Sequence, residues 1–219
     1  MNKTAIIFDL DGTLWDSTSS IRDIWNAVIE QEIKKPSLLT REDICALMGK
    51  TIEDIAAAIF PDCSKEEQIR LIGLCGEAEC EQLRVDGAIL YDGLEETLKT
   101  LSAKHGLYIV SNCQDGYVQA FLEAHRLADY FQDIEMYGRT GKPKWDNIQL
   151  LMERNDITDA VYVGDTEGDQ KAAKLAGIPF IFAAYGFGSI SDPDGVIHRL
   201  KELPACLRQM TEIKSEEHI

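Results

Sequence analysis

The chain reads AIIFDLDGT from Ala5 to Thr13, and this stretch decides the fold. Its four leading apolar residues are typical of a short strand that is buried on both faces of a sheet. Two acids follow at Asp9 and Asp11, and this spacing places both side chains on the same side of an extended backbone. Because two carboxylates at the end of a buried strand repel each other, we expect a cation, a proton, or both at this position.

The composition is that of a soluble globular protein with room for one core and a smaller second unit: 219 residues, 45% of them hydrophobic. The formal net charge of −16 disfavours nucleic acid and anionic membranes as partners, because both bind basic surfaces. A small anionic substrate stays open, since a metal ion and a few lysines reverse the field locally. No particular oligomeric state is predicted.

The cysteines and the N-terminus predict a cytoplasmic location. The six cysteines are scattered without a CxxC pair, which is typical of reduced thiols. The apolar run at the N-terminus is too short for a signal peptide, and no stretch approaches the ~20 apolar residues that span a bilayer.

Helical and mixed patterns divide the rest of the chain. Apolar stripes at helical spacing, with N-cap residues at Thr40 and Ser64, predict a helical bundle after the first strand. Strands then alternate with helices, which predicts an α/β fold with a Rossmann-like, doubly wound parallel sheet. We expect a core domain of residues 1–15 and 88–219, with an inserted all-helical cap domain of residues 16–87.

Polar residues follow the predicted strands, where parallel sheets bind their ligands. They are Asp9 and Asp11, Ser111 and Asn112, and Asp165, with Asp169 one helical turn further on. The sequence therefore predicts one site at the carboxyl edge of the sheet.

Four segments, in order, resemble the motifs of the haloacid dehalogenase (HAD) superfamily. They are DLDGT at residues 9–13, the hydroxyl of Ser111, a lysine before a helix, and GDTEGD at residues 164–169. The longer stretch DLDGTLWDS, ending at Ser17, resembles the phosphoglycolate phosphatase-like and β-phosphoglucomutase-like branch, in which a helical cap follows the first motif. The resemblance covers nearly the whole chain.

The resemblance implies a mechanism of phosphoryl transfer. Asp9 would attack phosphorus and become an aspartyl-phosphate, while Asp11 would carry the proton to the leaving group and from the water. Ser111 and a lysine would stabilise the transferred group. Mg²⁺ would be bound by Asp9, Asp165 and the backbone carbonyl of Asp11, with Asp169 ligating directly or orienting its waters.

Two lysines compete for the third motif. Lys142 precedes Pro143, as is usual in the family, whereas Lys144 lies two residues later and could reach the same place. We favour Lys142 as the catalytic lysine and keep Lys144 as a substrate-binding candidate. Three further substrate-binding candidates are Thr13, Asn112 and Lys50.

The predicted function is that of a Mg²⁺-dependent phosphatase acting on a small phosphomonoester, either phosphoglycolate-like or a sugar phosphate. Asp11 favours phosphoryl transfer, because dehalogenases and phosphonate-cleaving members of the family generally lack this second acid. A phosphosugar mutase of the β-phosphoglucomutase type would use the same residues and is the alternative. A non-catalytic phosphate-binding regulatory module is a third hypothesis.

Overall fold

The computed structural model describes residues 4–34 and 36–216. The strands, in chain order, are β1 (Ala5–Phe8), β2 (Trp15–Asp16), β3 (Ile89–Leu90), β4 (Leu107–Ser111), β5 (Asp133–Met136), β6 (Ala160–Gly164), β7 (Phe180–Ala183) and β8 (Gly195–Ile197). Within the described residues, six of them form one parallel sheet in the order β5-β4-β1-β6-β7-β8, and β2 pairs antiparallel with β3. The predicted α/β fold with a parallel sheet is confirmed.

Helices cover both faces of this sheet and fill the insertion. In chain order they are α1 (Thr18–Ile33), α2 (Arg41–Leu47), α3 (Ile52–Ile59), α4 (Lys65–Asp86), α5 (Leu94–Ser102), α6 (Tyr117–His125), α7 (Tyr137–Thr140), α8 (Lys144–Arg154), α9 (Glu167–Ala176) and α10 (Leu203–Glu216). The first four lie between β2 and β3, so the predicted helical insertion is confirmed. Its division from the core as a separate domain stays a prediction. The two strands of the antiparallel pair, β2 and β3, lie at the two proposed boundaries.

The first strand owes its continuous apolar sequence to its place in the middle of the sheet. It pairs with β4 on one side and β6 on the other. Ile6 and Phe8 pack into the core cluster that includes the helical insertion, whereas Ala5 and Ile7 pack into the cluster beneath α8 and α9. Since successive side chains point to opposite faces, burial of both faces removes any polar alternation.

The helices of the insertion begin at side-chain caps. Thr40, Thr51 and Ser64 each accept a hydrogen bond from a backbone N–H in the first turn of α2, α3 and α4. The last of these helices continues unbroken through two glycines and packs against both α1 and α6. It therefore joins the insertion to the core. In the part of the chain that is described, no helix is long and apolar enough to cross a bilayer.

Candidate active site

A buried lysine lies between two acids at the carboxyl edge of the sheet. Lys144 is the first residue of α8, and its Nζ lies 2.9 Å from Asp9 Oδ1 and 2.5 Å from Asp169 Oδ1. All three side chains are at most 5% exposed. Burial alone would lower the pKa of Lys144, but the charges of Asp169 and Asp9 outweigh it and hold this pKa well above its usual value. The lysine is thus a fixed positive charge beside Asp9.

Asp165 follows the end of β6 and is held in a tight cradle of backbone. Its Oδ2 accepts a hydrogen bond from the Phe187 N–H at 2.7 Å. Gly12 has a φ of +80°, and a Cβ at this residue or at Gly186 would overlap the carboxylate of Asp165. Glycine is therefore required at both positions. The other oxygen, Oδ1, is buried and has no hydrogen-bond partner among the described residues.

Asp169 uses both of its oxygens on protein donors. Its Oδ2 accepts hydrogen bonds from the Thr166 N–H at 2.9 Å and the Thr166 hydroxyl at 2.7 Å, as part of a capping box that begins α9. Its Oδ1 receives Lys144. These bonds fix Asp169 and favour a role in orienting its neighbours.

The three acids form a possible metal site. Carboxylate oxygens of Asp9, Asp165 and Asp169 lie within 4.8 Å of one another. Three carboxylates against one ammonium leave an excess of negative charge, and burial raises the pKa of Asp9 to about 7 and that of Asp165 to about 8. A divalent cation would relieve this repulsion. The unpartnered Oδ1 of Asp165 and the all-oxygen donor set fit Mg²⁺.

Asp11 occupies a different environment from Asp9. Its Oδ1 accepts hydrogen bonds from the Ser17 hydroxyl at 2.5 Å and the Tyr117 hydroxyl at 2.8 Å. Burial raises the pKa of Asp11, and these two bonds act in the opposite direction. A side chain that is held by hydroxyls, outside the cluster of three acids, suits the transfer of a proton. Its predicted use as a metal ligand concerns the backbone carbonyl and stays a prediction.

The structure places Lys144, and not the predicted Lys142, beside Asp9. Lys142 precedes the helix, is 47% exposed, and lies 3.4 Å from Asp146 Oδ1 on the surface. Pro143 forms the N-cap of α8, so the next residue, Lys144, is the one that turns inward to Asp9. The sequence favoured Lys142, and the structure brings Lys144 to the site instead.

The other candidates divide between the cavity wall and the core. Ser111, Asn112 and Lys50 line the cavity above Asp9, and Lys144 does so as well. Asn112 donates a hydrogen bond from Nδ2 to the Gly49 carbonyl at 2.8 Å, which ties the sheet edge to the cap. Thr13 is fully buried, and its carbonyl accepts a hydrogen bond from Tyr185. Its predicted contact with substrate is not supported by this position.

Sequence reasoning missed the partners of Asp11 and one wall of the cavity. Ser17 belongs to the first motif, and its hydroxyl, six residues after Asp11, is the one local signal for a partner of that acid. Tyr117 arrives on α6 and Glu79 on α4. No local pattern marks either residue, because long-range packing brings both to the cavity.

Comparisons with known proteins agree with this geometry. The profile of the haloacid dehalogenase-like hydrolase family matches residues 6–183. The phosphoglycolate phosphatase of Escherichia coli O157:H7 is 30% identical in an alignment that covers 92% of this chain and 91% of that protein. A haloacid dehalogenase-like hydrolase from Streptococcus pneumoniae superposes with a TM-score of 0.79 at 25% identity, covering 93% and 97% of the two chains.

A further solved structure shares the fold. CbbY from Rhodobacter sphaeroides, solved in complex with phosphate, has a TM-score of 0.78 at 21% identity, over 92% of this chain and 96% of its own. The class defined by the parallel sheet, its acids at the strand ends and the helical insertion is that of the HAD hydrolases. The chain belongs to the haloacid dehalogenase-like hydrolase family, in the phosphoglycolate phosphatase-like branch with a helical cap. It is an enzyme whose relatives are phosphatases, as predicted.

Proposed function

We propose that this protein is a Mg²⁺-dependent phosphatase that hydrolyses a small phosphomonoester through an aspartyl-phosphate on Asp9. The observation that carries the proposal is the placement of the Lys144 ammonium 2.9 Å from Asp9 Oδ1, next to an acid with an unpartnered oxygen. A structural ion pair needs only one carboxylate for each lysine. The surplus of acids is explained if a divalent cation binds there, and such a cation would also offset the charge of a phosphoryl group.

The reaction divides between the two acids of the first motif. Asp9 attacks phosphorus, the bond from phosphorus to the ester oxygen breaks, and the leaving oxygen takes the proton from Asp11. Asp11 then removes a proton from water, whose oxygen attacks the aspartyl-phosphate and releases inorganic phosphate. The hydroxyls of Ser17 and Tyr117 orient Asp11 for both transfers, because they bond to its Oδ1.

The surrounding residues supply charge stabilisation. Lys144 opposes the rise in the pKa of Asp9, and so favours its ionised form, and it offsets negative charge on the phosphoryl group. The Ser111 hydroxyl donates to a phosphoryl oxygen. A bound Mg²⁺, held by Asp9 and Asp165, would neutralise phosphoryl charge. We expect the cap side chains that line the cavity to limit the access of bulk water to a bound substrate.

A panel of small phosphomonoesters tests the proposal. Phosphoglycolate is included because relatives that are 30% identical carry that name, and sugar phosphates because the sequence left them open. We expect release of phosphate with Mg²⁺, abolished by EDTA and by Asp9→Asn. Formation of a sugar phosphate isomer without release of phosphate would indicate the mutase, and no turnover of any ester would reject the enzymatic proposal. The cytoplasmic location stays a prediction from the sequence.

A further inference from the structure

The cap covers part of a small cavity over Asp9, and one buried acid of the cap lines this cavity. The cavity has a volume of about 60 Å³, so a leaving group in it contacts the cap closely. The cap side of the wall is mainly apolar: Ile21, Trp25, Leu47, Met48, Ile52 and Ile55. Two charged cap residues, Glu79 and Lys50, also line the cavity. Glu79 is buried, with 2% exposure, whereas Lys50 is exposed.

Glu79 is fixed in place but lies in acidic surroundings. Its Oε2 accepts a hydrogen bond from Trp25 Nε1 at 2.8 Å. Burial and the charge of Asp11 raise the pKa of Glu79, and hydrogen bonds from the side chains of Trp25 and Gln114 act in the opposite direction. The two oxygens of the Glu79 carboxyl group can accept from both of these donors, and the group also lines the cavity. Glu79 is thus the acidic group that the cap presents to a ligand.

A second acceptor on the wall is unpartnered. The amide of Asn112 donates from Nδ2 to Gly49, which leaves its buried Oδ1 without a hydrogen-bond partner among the described residues. The buried cation of the wall, Lys144, is already bonded to Asp9 and Asp169. The interior of the cavity thus offers acceptors to a leaving group and holds its buried cation at the reacting end.

We propose that Glu79 selects phosphomonoesters whose leaving group carries a hydrogen-bond donor, a hydroxyl or an ammonium, where it faces α4. A carboxylate at that position is disfavoured, because it would meet the acids of the wall with Lys50, on the exposed side, as its remaining cation. This selection rests on the proposed phosphatase function and narrows its substrate class. Trp25 acts as a positioning residue, since its N–H fixes the Glu79 carboxyl group.

Four esters of matched length test the selection: 2-hydroxyethyl phosphate, 2-aminoethyl phosphate, 2-phosphoglycolate and ethyl phosphate. We expect the kcat/KM of the wild type for the hydroxyl or the ammonium ester to exceed that for phosphoglycolate by about tenfold or more, the gain typical of a hydrogen bond to a charged group. In Glu79→Gln this ratio moves toward one, mainly through KM. A preference for the ammonium over the hydroxyl ester identifies an ionised Glu79.

Controls separate selection from folding and from catalysis. Trp25→Phe keeps the ring, removes the N–H donor, and should reduce the same ratio by a smaller factor. If Glu79 served only to stabilise the fold, Glu79→Gln would lower the Tm and slow all four esters by a common factor, and this result would overturn the proposal. Phosphoglycolate as the best substrate of the wild type would also overturn it.

Binding gives a readout that does not depend on turnover. Calorimetric titration of Asp9→Asn with the four esters in the presence of Mg²⁺ should rank their Kd values in the same order, with the hydroxyl or ammonium ester bound most tightly. Should the wild type cleave none of the esters, the phosphatase proposal fails while this ranking still decides the role of Glu79. Tightest binding of phosphoglycolate, or a ranking that is unchanged when Glu79→Gln is added, would refute that role.

Discussion

The two walls of the cavity are built in different ways. On the sheet side, Lys144 bonds to both Asp9 and Asp169, and the neighbouring Asp165 is held by a backbone N–H in a glycine cradle. On the cap side, apolar side chains surround Glu79, which is held by Trp25. Charge stabilisation requires fixed, paired groups, whereas recognition of a leaving group requires shape and a few polar contacts. We therefore expect the chemistry to depend on the sheet side of the cavity and the choice of substrate on the cap side.

Removal of the buried lysine should have the largest effect, and it tests directly whether catalysis depends on the sheet side of the cavity. We expect Lys144→Ala to lower kcat by roughly 10²- to 10³-fold, because a charge aimed at the reacting group is lost. Lys142→Ala is the matched control: its side chain is 47% exposed and pairs with Asp146 on the surface. Steady-state kinetics on one ester should show less than about a twofold change for this control. Equal losses in the two variants would contradict the assignment.

The glycine cradle of Asp165 comes next in expected effect. Gly12→Ala would place a Cβ onto the Asp165 carboxylate and force an alanine to a φ of +80°. Displacement of a ligating carboxylate should raise the Mg²⁺ concentration for half-maximal activity by roughly 10- to 100-fold. Gly177→Ala is the control, since its φ is +78° and no atom lies within 4 Å of the added Cβ.

The two glycine variants share the cost of a left-handed backbone, but only Gly12→Ala adds a clash with Asp165. Both should lose about 1–2 kcal/mol of folding stability to the left-handed backbone conformation, measured by urea unfolding. A Mg²⁺ requirement that rises equally in both would show that strain, and not contact with Asp165, controls the metal site.

The sheet side could largely be predicted from the sequence, because its rules are local. A buried strand that ends in acids and a parallel sheet that gathers its strand ends at one edge are sufficient to bring Asp9 and Asp165 together. The choice between the lysines was not predictable in this way. It depends on the direction of the first turn of α8 after Pro143, and the motif rule favoured the residue before the proline.

The cap side and the sheet edge were less accessible to sequence reasoning. Tyr117 reaches Asp11 because α6 packs beside β2, where the Tyr117 ring lies 5.4 Å from that of Trp15. Glu79 lies on a helix with a weak apolar stripe, so its inward direction is set by packing against α1 and α6. The edge strand β8 spans three residues after a loop rich in glycine, serine and aspartate, and no alternation marks it.

Removal of the ion pair that attaches the cap to β2 should have the smallest effect. Asp16, at the end of β2, accepts hydrogen bonds from the backbone N–H of Thr18 and from Arg41 Nη2 of α2, the latter at 2.6 Å. Burial acts to raise the pKa of Asp16, but the bonds from Thr18 and Arg41 outweigh it and lower this pKa below 3.8. Arg41→Ala removes this ion pair between α2 of the cap and β2. The half-exposed pair should contribute about 0.2–1 kcal/mol to the free energy of unfolding.

The pH dependence of that loss identifies its origin. A carboxyl group with a lowered folded-state pKa contributes stability above its unfolded value near 3.8, and this contribution disappears as the pH falls through the folded-state pKa. The difference in unfolding free energy between wild type and Arg41→Ala should therefore be full at neutral pH and shrink below about pH 4. Arg22→Ala serves as control, because Arg22 pairs with the adjacent Asp23 inside α1 and ties no elements together. If the Arg41→Ala difference stayed constant with pH, the loss of stability would come from lost packing of the arginine stem. The ion pair would then not be what attaches the cap to β2.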